Sequence, residues 1–112
     1  MIFVTGPMFS GKREYLQKAL GLSLEELSAR AAFDVEELAA GEEELETLAL
    51  RLSQYEFITA NEVGCGVVPI DPEQRQLRER AGRLSCLLAR EADVVIRVCC
   101  GLPQVLKGDW KC

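Results

Sequence analysis

The first dozen residues constrain the fold more than any other stretch. Met1-Ile2-Phe3-Val4-Thr5 is short, apolar and β-prone, the pattern of a buried strand. Gly6-Pro7-Met8-Phe9-Ser10-Gly11-Lys12 follows at once, and a helical pattern then runs through Tyr15, Leu16 and Ala19 to a stop at Gly21. Strand, glycine-framed turn and helix in direct succession imply a chain that enters a sheet, reverses tightly and packs a helix back on it. With only 112 residues, there is room for one domain with one modest core.

The rest of the chain repeats this alternation. Ser23, with Glu26 three residues later, forms a capping-box signature for a helix starting near Leu24. Ala31-Ala32-Phe33-Asp34-Val35 reads either as a helix continuation or as a short strand. Glu42, Glu43 and Glu44 suit a helix N-terminus, and Leu45, Leu48, Ala49 and Leu52 then share one face. Tyr55 to Ala60 has strand character. Asp71-Pro72 opens a helix, with Leu77, Ala81, Leu84 and Leu88 at helical spacing. Val94 to Cys100 reads as the last strand, broken by Gly101-Leu102-Pro103. Strands alternating with helices predict an α/β class with a small, mainly parallel sheet. Residues 1–112 are read as a single domain, without repeats or linkers.

Charge and cysteine usage narrow the function. The net charge is −5, which disfavours nucleic acid, because neutralising phosphates requires a basic stripe. The acidity is concentrated from Gly21 to Gln54, with nine acidic residues against Arg30 and Arg51, and reads as solvated helix faces. The five cysteines are odd in number, form no CxxC and have no histidine to complete a zinc site, so a reduced, cytoplasmic setting is expected. No stretch approaches the roughly 20 apolar residues of a membrane span, and the opening lacks the basic start of a signal peptide.

Two motifs carry chemistry. The first is GxxxxGK, from Gly6 to Lys12. Such glycines let backbone N–H groups turn inward around phosphate oxygens, and the lysine serves the β/γ-phosphates. Gly6, Pro7, Met8, Phe9, Ser10, Gly11, Lys12 and Arg13 are the candidate phosphate-binding residues, with Lys12 also a catalytic candidate. The residue after the lysine is usually Ser or Thr, whose hydroxyl holds magnesium. Arg13 stands there instead, removing a metal ligand and adding a cation. The structural alternative is a glycine-rich turn with an exposed lysine. The second motif is Thr59-Ala60-Asn61-Glu62-Val63-Gly64-Cys65-Gly66-Val67-Val68-Pro69, a polar loop after a strand, where open α/β folds place ligands. Glu62 is a candidate to orient a magnesium water or take a substrate proton. A tight glycine turn with an exposed carboxylate is its alternative.

Asn61-Glu-Val-Gly-x-Gly-Val-Val-Pro69 resembles the signature loop of the adenosylcobinamide kinase/adenosylcobinamide-phosphate guanylyltransferase family. Arg75, Arg78, Glu79, Gly82 and Leu84 are similar too, as are Ala92-Asp93, the apolar strand after them, Gly101-Leu102-Pro103 and Leu106-Lys107. The resemblance implies a minimal P-loop NTPase-like three-layer domain binding GTP or ATP with Mg2+, and phosphoryl transfer to a corrinoid side chain in cobalamin biosynthesis. Family members end a strand in a metal-binding aspartate, and Phe33 to Leu38 is the candidate remnant here, which makes Asp34 a metal-side acid alongside Glu62; the alternative is a surface aspartate in a helix. The family has a much longer segment between turn and signature loop, carrying a guanine-contacting region and the histidine that takes GMP covalently. This chain has no histidine. A catalytically degenerate nucleotide- or corrinoid-binding module, or an accessory subunit of a larger enzyme, is the alternative function.

Strands in this branch of the fold are ordered 5-1-4-3-2, and the strands retained here correspond to 1, 4 and 5, which are neighbours. The shortening leaves the strand from Tyr55 to Ala60 near an edge, and a bare edge invites pairing. Either the Asp34 segment pairs there as a short strand, or two chains join as a homo-oligomer.

Overall fold

The computed structural model describes residues 1–62 and 71–110. Its elements are β1 (Ile2–Gly6), α1 (Lys12–Leu20), α2 (Leu24–Ser28), β2 (Ala31–Ala32), a 3-10 helix (Val35–Ala40), α3 (Leu45–Leu52), β3 (Phe57–Asn61), α4 (Pro72–Glu91), β4 (Val94–Cys99) and β5 (Leu102–Lys107). The sheet order is β2-β3-β1-β4-β5. All pairings are parallel except β4 with β5.

Alternation along the strands builds two cores, one on each face. Phe3, Ile58, Ala60 and Val95 face α3, α4 and the 3-10 helix, meeting Leu45, Leu48, Leu52, Leu84 and Leu88. Val4, Phe57, Ile96 and Val98 face the other way, onto Leu16 and Leu27 of α1 and α2. The result is a three-layer, P-loop-like α/β domain. The layering follows from the path of the chain. From β1 it moves outward to β2 over one face, then returns to β3 and on to β4 over the other, as right-handed crossovers demand.

Local signals set the element ends. Gly21 closes α1 in the left-handed conformation, at φ 67°. Ser23 and Glu26 form the reciprocal capping box of α2. The Asp71 side chain accepts from the Glu73 N–H, with proline at the start of α4. Arg80 of α4 holds the far end of the 3-10 helix by donating to the carbonyls of Ala39, Gly41 and Glu43.

Two findings concern the sheet edges. Ala31 and Ala32 pair in parallel with Phe57 and Ile58, so the segment before Asp34 covers the outer side of β3 as a short strand. The stretch Gly101-Leu102-Pro103 does not end the sheet, as the sequence reading held. Cys100 and Gly101, at φ 53° and 75°, make a tight reversal, and Leu102–Lys107 returns antiparallel on β4. Positive φ at both central residues is the pattern of a type I′ hairpin turn. Pro103 is tolerated because β5 is an edge strand.

Candidate functional site

The parallel strands β1 and β3 end together, at Gly6 and Asn61, β2 stops three residues earlier, and the polar residues lie at and beyond these carboxyl ends. An open cleft of about 360 Å³ lies there, lined by residues 8–14 together with Asp34, Glu37, Thr59 and Asn61. It receives the N-terminus of α1, whose first-turn N–H groups have no partners within the helix. Gly11 is the N-cap, in the left-handed region at φ 88°, with no side chain capping the helix. Gly6 is required for a different reason. A Cβ there would lie 2.1 Å from the Val98 carbonyl oxygen and 2.9 Å from Ser10 Oγ. The hairpin turn after β4 supports the loop from behind, with the Gly101 N–H donating to the Ser10 carbonyl at 2.8 Å.

Lys12 is the centre of the site. It is 5 % exposed. Its ammonium donates to Asn61 Oδ1 at 2.7 Å and to the Pro7 carbonyl at 2.8 Å, with Gly6 O at 3.3 Å and Ser10 Oγ at 3.4 Å. Burial pushes its pKa below the ordinary lysine value, against the pull of Asp34, Glu36 and Glu62. The lysine is thus inside the turn, not displayed on it. Phe9, by contrast, is 97 % exposed, in the left-handed region at φ 61°, and leaves the turn unplugged.

Arg13 and Asp34 meet. Arg13 Nη2 donates to Asp34 Oδ2 at 2.6 Å while the guanidinium stacks 4.5 Å above the centre of the Phe33 ring. Asp34 follows β2 in the left-handed conformation, φ 54°, and its N–H donates to the buried Thr59 hydroxyl at 3.1 Å. Its other oxygen accepts from Asn61 Nδ2 at 3.2 Å. Asn61 is therefore the hub, linking Lys12 to Asp34 and also to Glu36, which takes its backbone N–H at 2.7 Å.

Glu62, whose N–H donates to the Gly6 carbonyl at 2.8 Å, has a side-chain partner of its own. Arg97 of β4 grips it in a two-pronged pair, Nε to Oε1 at 2.6 Å and Nη2 to Oε2 at 3.0 Å. The structure thus unites Lys12, Arg13, Asp34 and the turn, and holds Glu62 against a different arginine. Residues 63–70, which include Cys65 and the rest of the signature loop to Pro69, lie outside the described residues. Sequence reasoning had Thr59 and Asn61 within the second motif without a role, and did not single out Glu36 or Arg97. Their signal was positional for two of them, since Thr59 and Asn61 end the strand beside β1. Trp110, read as a packing or oligomer contact, donates to the Tyr15 hydroxyl at 2.7 Å.

A magnesium ion would need oxygen ligands to spare. Both Asp34 oxygens and both Glu62 oxygens are engaged, a guanidinium stands where a hydroxyl ligand is usual, and no group of three or more Cys, Asp or Glu side chains among the described residues could hold a metal. Among the described residues, then, no all-protein cation site is present, and the two acids read as metal-side, Asp34 and Glu62, are each paired with an arginine.

The family model described as cobinamide kinase / cobinamide phosphate guanyltransferase matches residues 16–106, most of the chain. The chain belongs to this family. Cobinamide kinase / cobinamide phosphate guanyltransferase proteins are nucleotide-using transferases of cobalamin biosynthesis, and that is the functional setting of this domain. The matched stretch starts inside α1 and ends in β5, so the turn from Gly6 to Lys12 precedes it and stands on its own geometry. No curated protein matches the chain. No helix among the described residues is long and apolar enough to cross a membrane.

Proposed function

We propose that this domain binds a nucleoside triphosphate, GTP or ATP, at the turn Gly6–Lys12, and serves cobalamin assembly in the cytoplasm. One observation carries this reading: a lysine ammonium buried within a glycine-framed turn at an uncapped helix N-terminus, at the carboxyl end of the sheet. A P-loop needs those parts, and a phosphate oxygen is the acceptor that suits them. The α1 N–H groups and Lys12 bind the β- and γ-phosphates, the ammonium exchanging its carbonyl partners for phosphoryl oxygens. Arg13 reaches the same anion from the other side. Pro7, Met8, Phe9 and Ser10 wrap its outer edge.

The activity this family membership supports is transfer of the γ-phosphoryl group to a hydroxyl on a corrinoid side chain. The hydroxyl oxygen bonds to phosphorus, the bridging bond to the nucleoside diphosphate breaks, and the hydroxyl proton passes to a carboxylate. Glu62 is the acid placed beside the turn for that proton once Arg97 yields it. Guanylyl transfer through a histidine has no nucleophile here, since the chain has none. Spent metal-side acids favour a second reading, a binding module that holds nucleotide or corrinoid without turnover.

Calorimetry with GTP and ATP tests binding, and incubation with adenosylcobinamide tests transfer. Heat of binding and a phosphorylated corrinoid are expected. Binding without product leaves the module reading, and silence with both nucleotides removes the proposal altogether.

A further inference from the structure

We infer that Arg13 takes the place of a divalent cation, so that the turn accepts its nucleotide as the free polyphosphate anion. The inference rests on the nucleotide reading above and deepens it. The position after the lysine is where a hydroxyl ordinarily holds magnesium. Here a permanent positive charge leaves that position and lies 2.6 Å from Asp34 Oδ2. It is held in place, over the Phe33 ring at 4.5 Å and against a carboxylate that accepts from Asn61 Nδ2, on a residue whose backbone N–H donates to Thr59. A divalent ion seeking Asp34 would first have to displace the guanidinium and then remain beside it, with like charges in contact.

An anion meets the Asp34 carboxylate in the same lining, but that charge is already paired with Arg13. A guanidinium has five N–H donors, and among the described residues Arg13 spends one, through Nη2, on Asp34. Arg13 and Lys12 both line the same cleft. Glu14 and Glu37 also line it, but both are exposed at its rim, where water and salt screen them. Two cations, Lys12 and Arg13, thus line the cleft where a metal ion otherwise adds charge to the bound nucleotide, with Asp34 offsetting part of Arg13's.

The test is titration calorimetry of the full chain with GTP and with ATP, once in EDTA and once in excess Mg2+. The wild type is expected to bind equally in both, within ~3-fold. Arg13→Ser is expected to lose at least ~10-fold in EDTA and to recover much of that with Mg2+. Arg13→Lys, which keeps the charge without the fork, is expected to fall between them and still ignore Mg2+. A wild type that loses more than ~10-fold in EDTA overturns the inference while leaving the nucleotide site standing. So does an Arg13→Ser protein that keeps its EDTA affinity. No binding in either buffer overturns both readings.

Discussion

Strand β1 passes through two environments within five residues. In its middle, Phe3 and Val4 are buried on opposite faces, each in its own apolar core. At its carboxyl end, Gly6 gives way to a turn where a buried ammonium, a guanidinium and two carboxylates satisfy one another through Asn61. The first environment is held by area removed from water, and any side chain of similar shape serves it. The second is held by particular donors and acceptors, so the identity of each atom matters. Substitutions in the two regions should therefore fail differently: the first in stability, the second in binding.

The largest effect is expected from the apolar region. Leu88 of α4 is fully buried beneath the sheet. Leu88→Ala should cost about 2–5 kcal/mol, read as a lowered urea midpoint, through lost burial and the cavity left behind. Under conditions where the variant is folded, its nucleotide affinity should match the wild type. A weaker affinity would mean that the two regions are not separable.

Next comes the polar end. Lys12→Met keeps the apolar stem and removes the ammonium. Nucleotide binding should weaken by about 2–3 kcal/mol, roughly 30–150-fold, the worth of charge-assisted hydrogen bonds to phosphate. The same variant has a pH signature. Burial lowers the lysine pKa in the folded chain below the usual 10.5. The unfolded chain then keeps its proton to higher pH. Wild-type stability should rise as pH climbs through the window ending near 10.5, while nucleotide affinity falls there. The stability rise should be absent in Lys12→Met. Equal alkaline profiles for the two proteins would show that the ammonium is not in the environment described.

The same division decides what was legible in the sequence. Apolar periodicity and caps located α1, α3, α4 and the three inner strands, because those signals are the physical causes of burial. Ser23 with Glu26 and Asp71 with Pro72 forecast helix starts for the same reason. The ambiguous Ala31–Val35 stretch could not be settled locally, since a two-residue strand exists only by virtue of its neighbour β3. β5 was missed because Pro103 and Gly101 look like breakers unless the turn geometry and an edge position are known. In the site, GxxxxGK marked the turn, but not how Lys12 and Arg13 would be partnered. Asp34, Asn61 and Arg97 lie far from the turn in sequence, and only the sheet order brings them to it.

The smallest effect concerns where the two regions meet. The hairpin turn after β4 is continuous with the core strand yet supports the phosphate-binding turn, since the Gly101 N–H donates to Ser10. Cys100 occupies a left-handed position there at φ 53°, strained for a residue with a side chain, and it is exposed, so no packing offsets the strain. Asparagine visits that conformation more easily, and Asn-Gly is the favoured pair for a type I′ turn. Cys100→Asn should raise stability by about 0.5–1 kcal/mol, seen as a higher urea midpoint with unchanged slope. Because the turn already has the required shape, nucleotide affinity should stay the same. If affinity rises with stability, the support behind Ser10 is limiting, and the apolar sheet and the polar turn act as one unit.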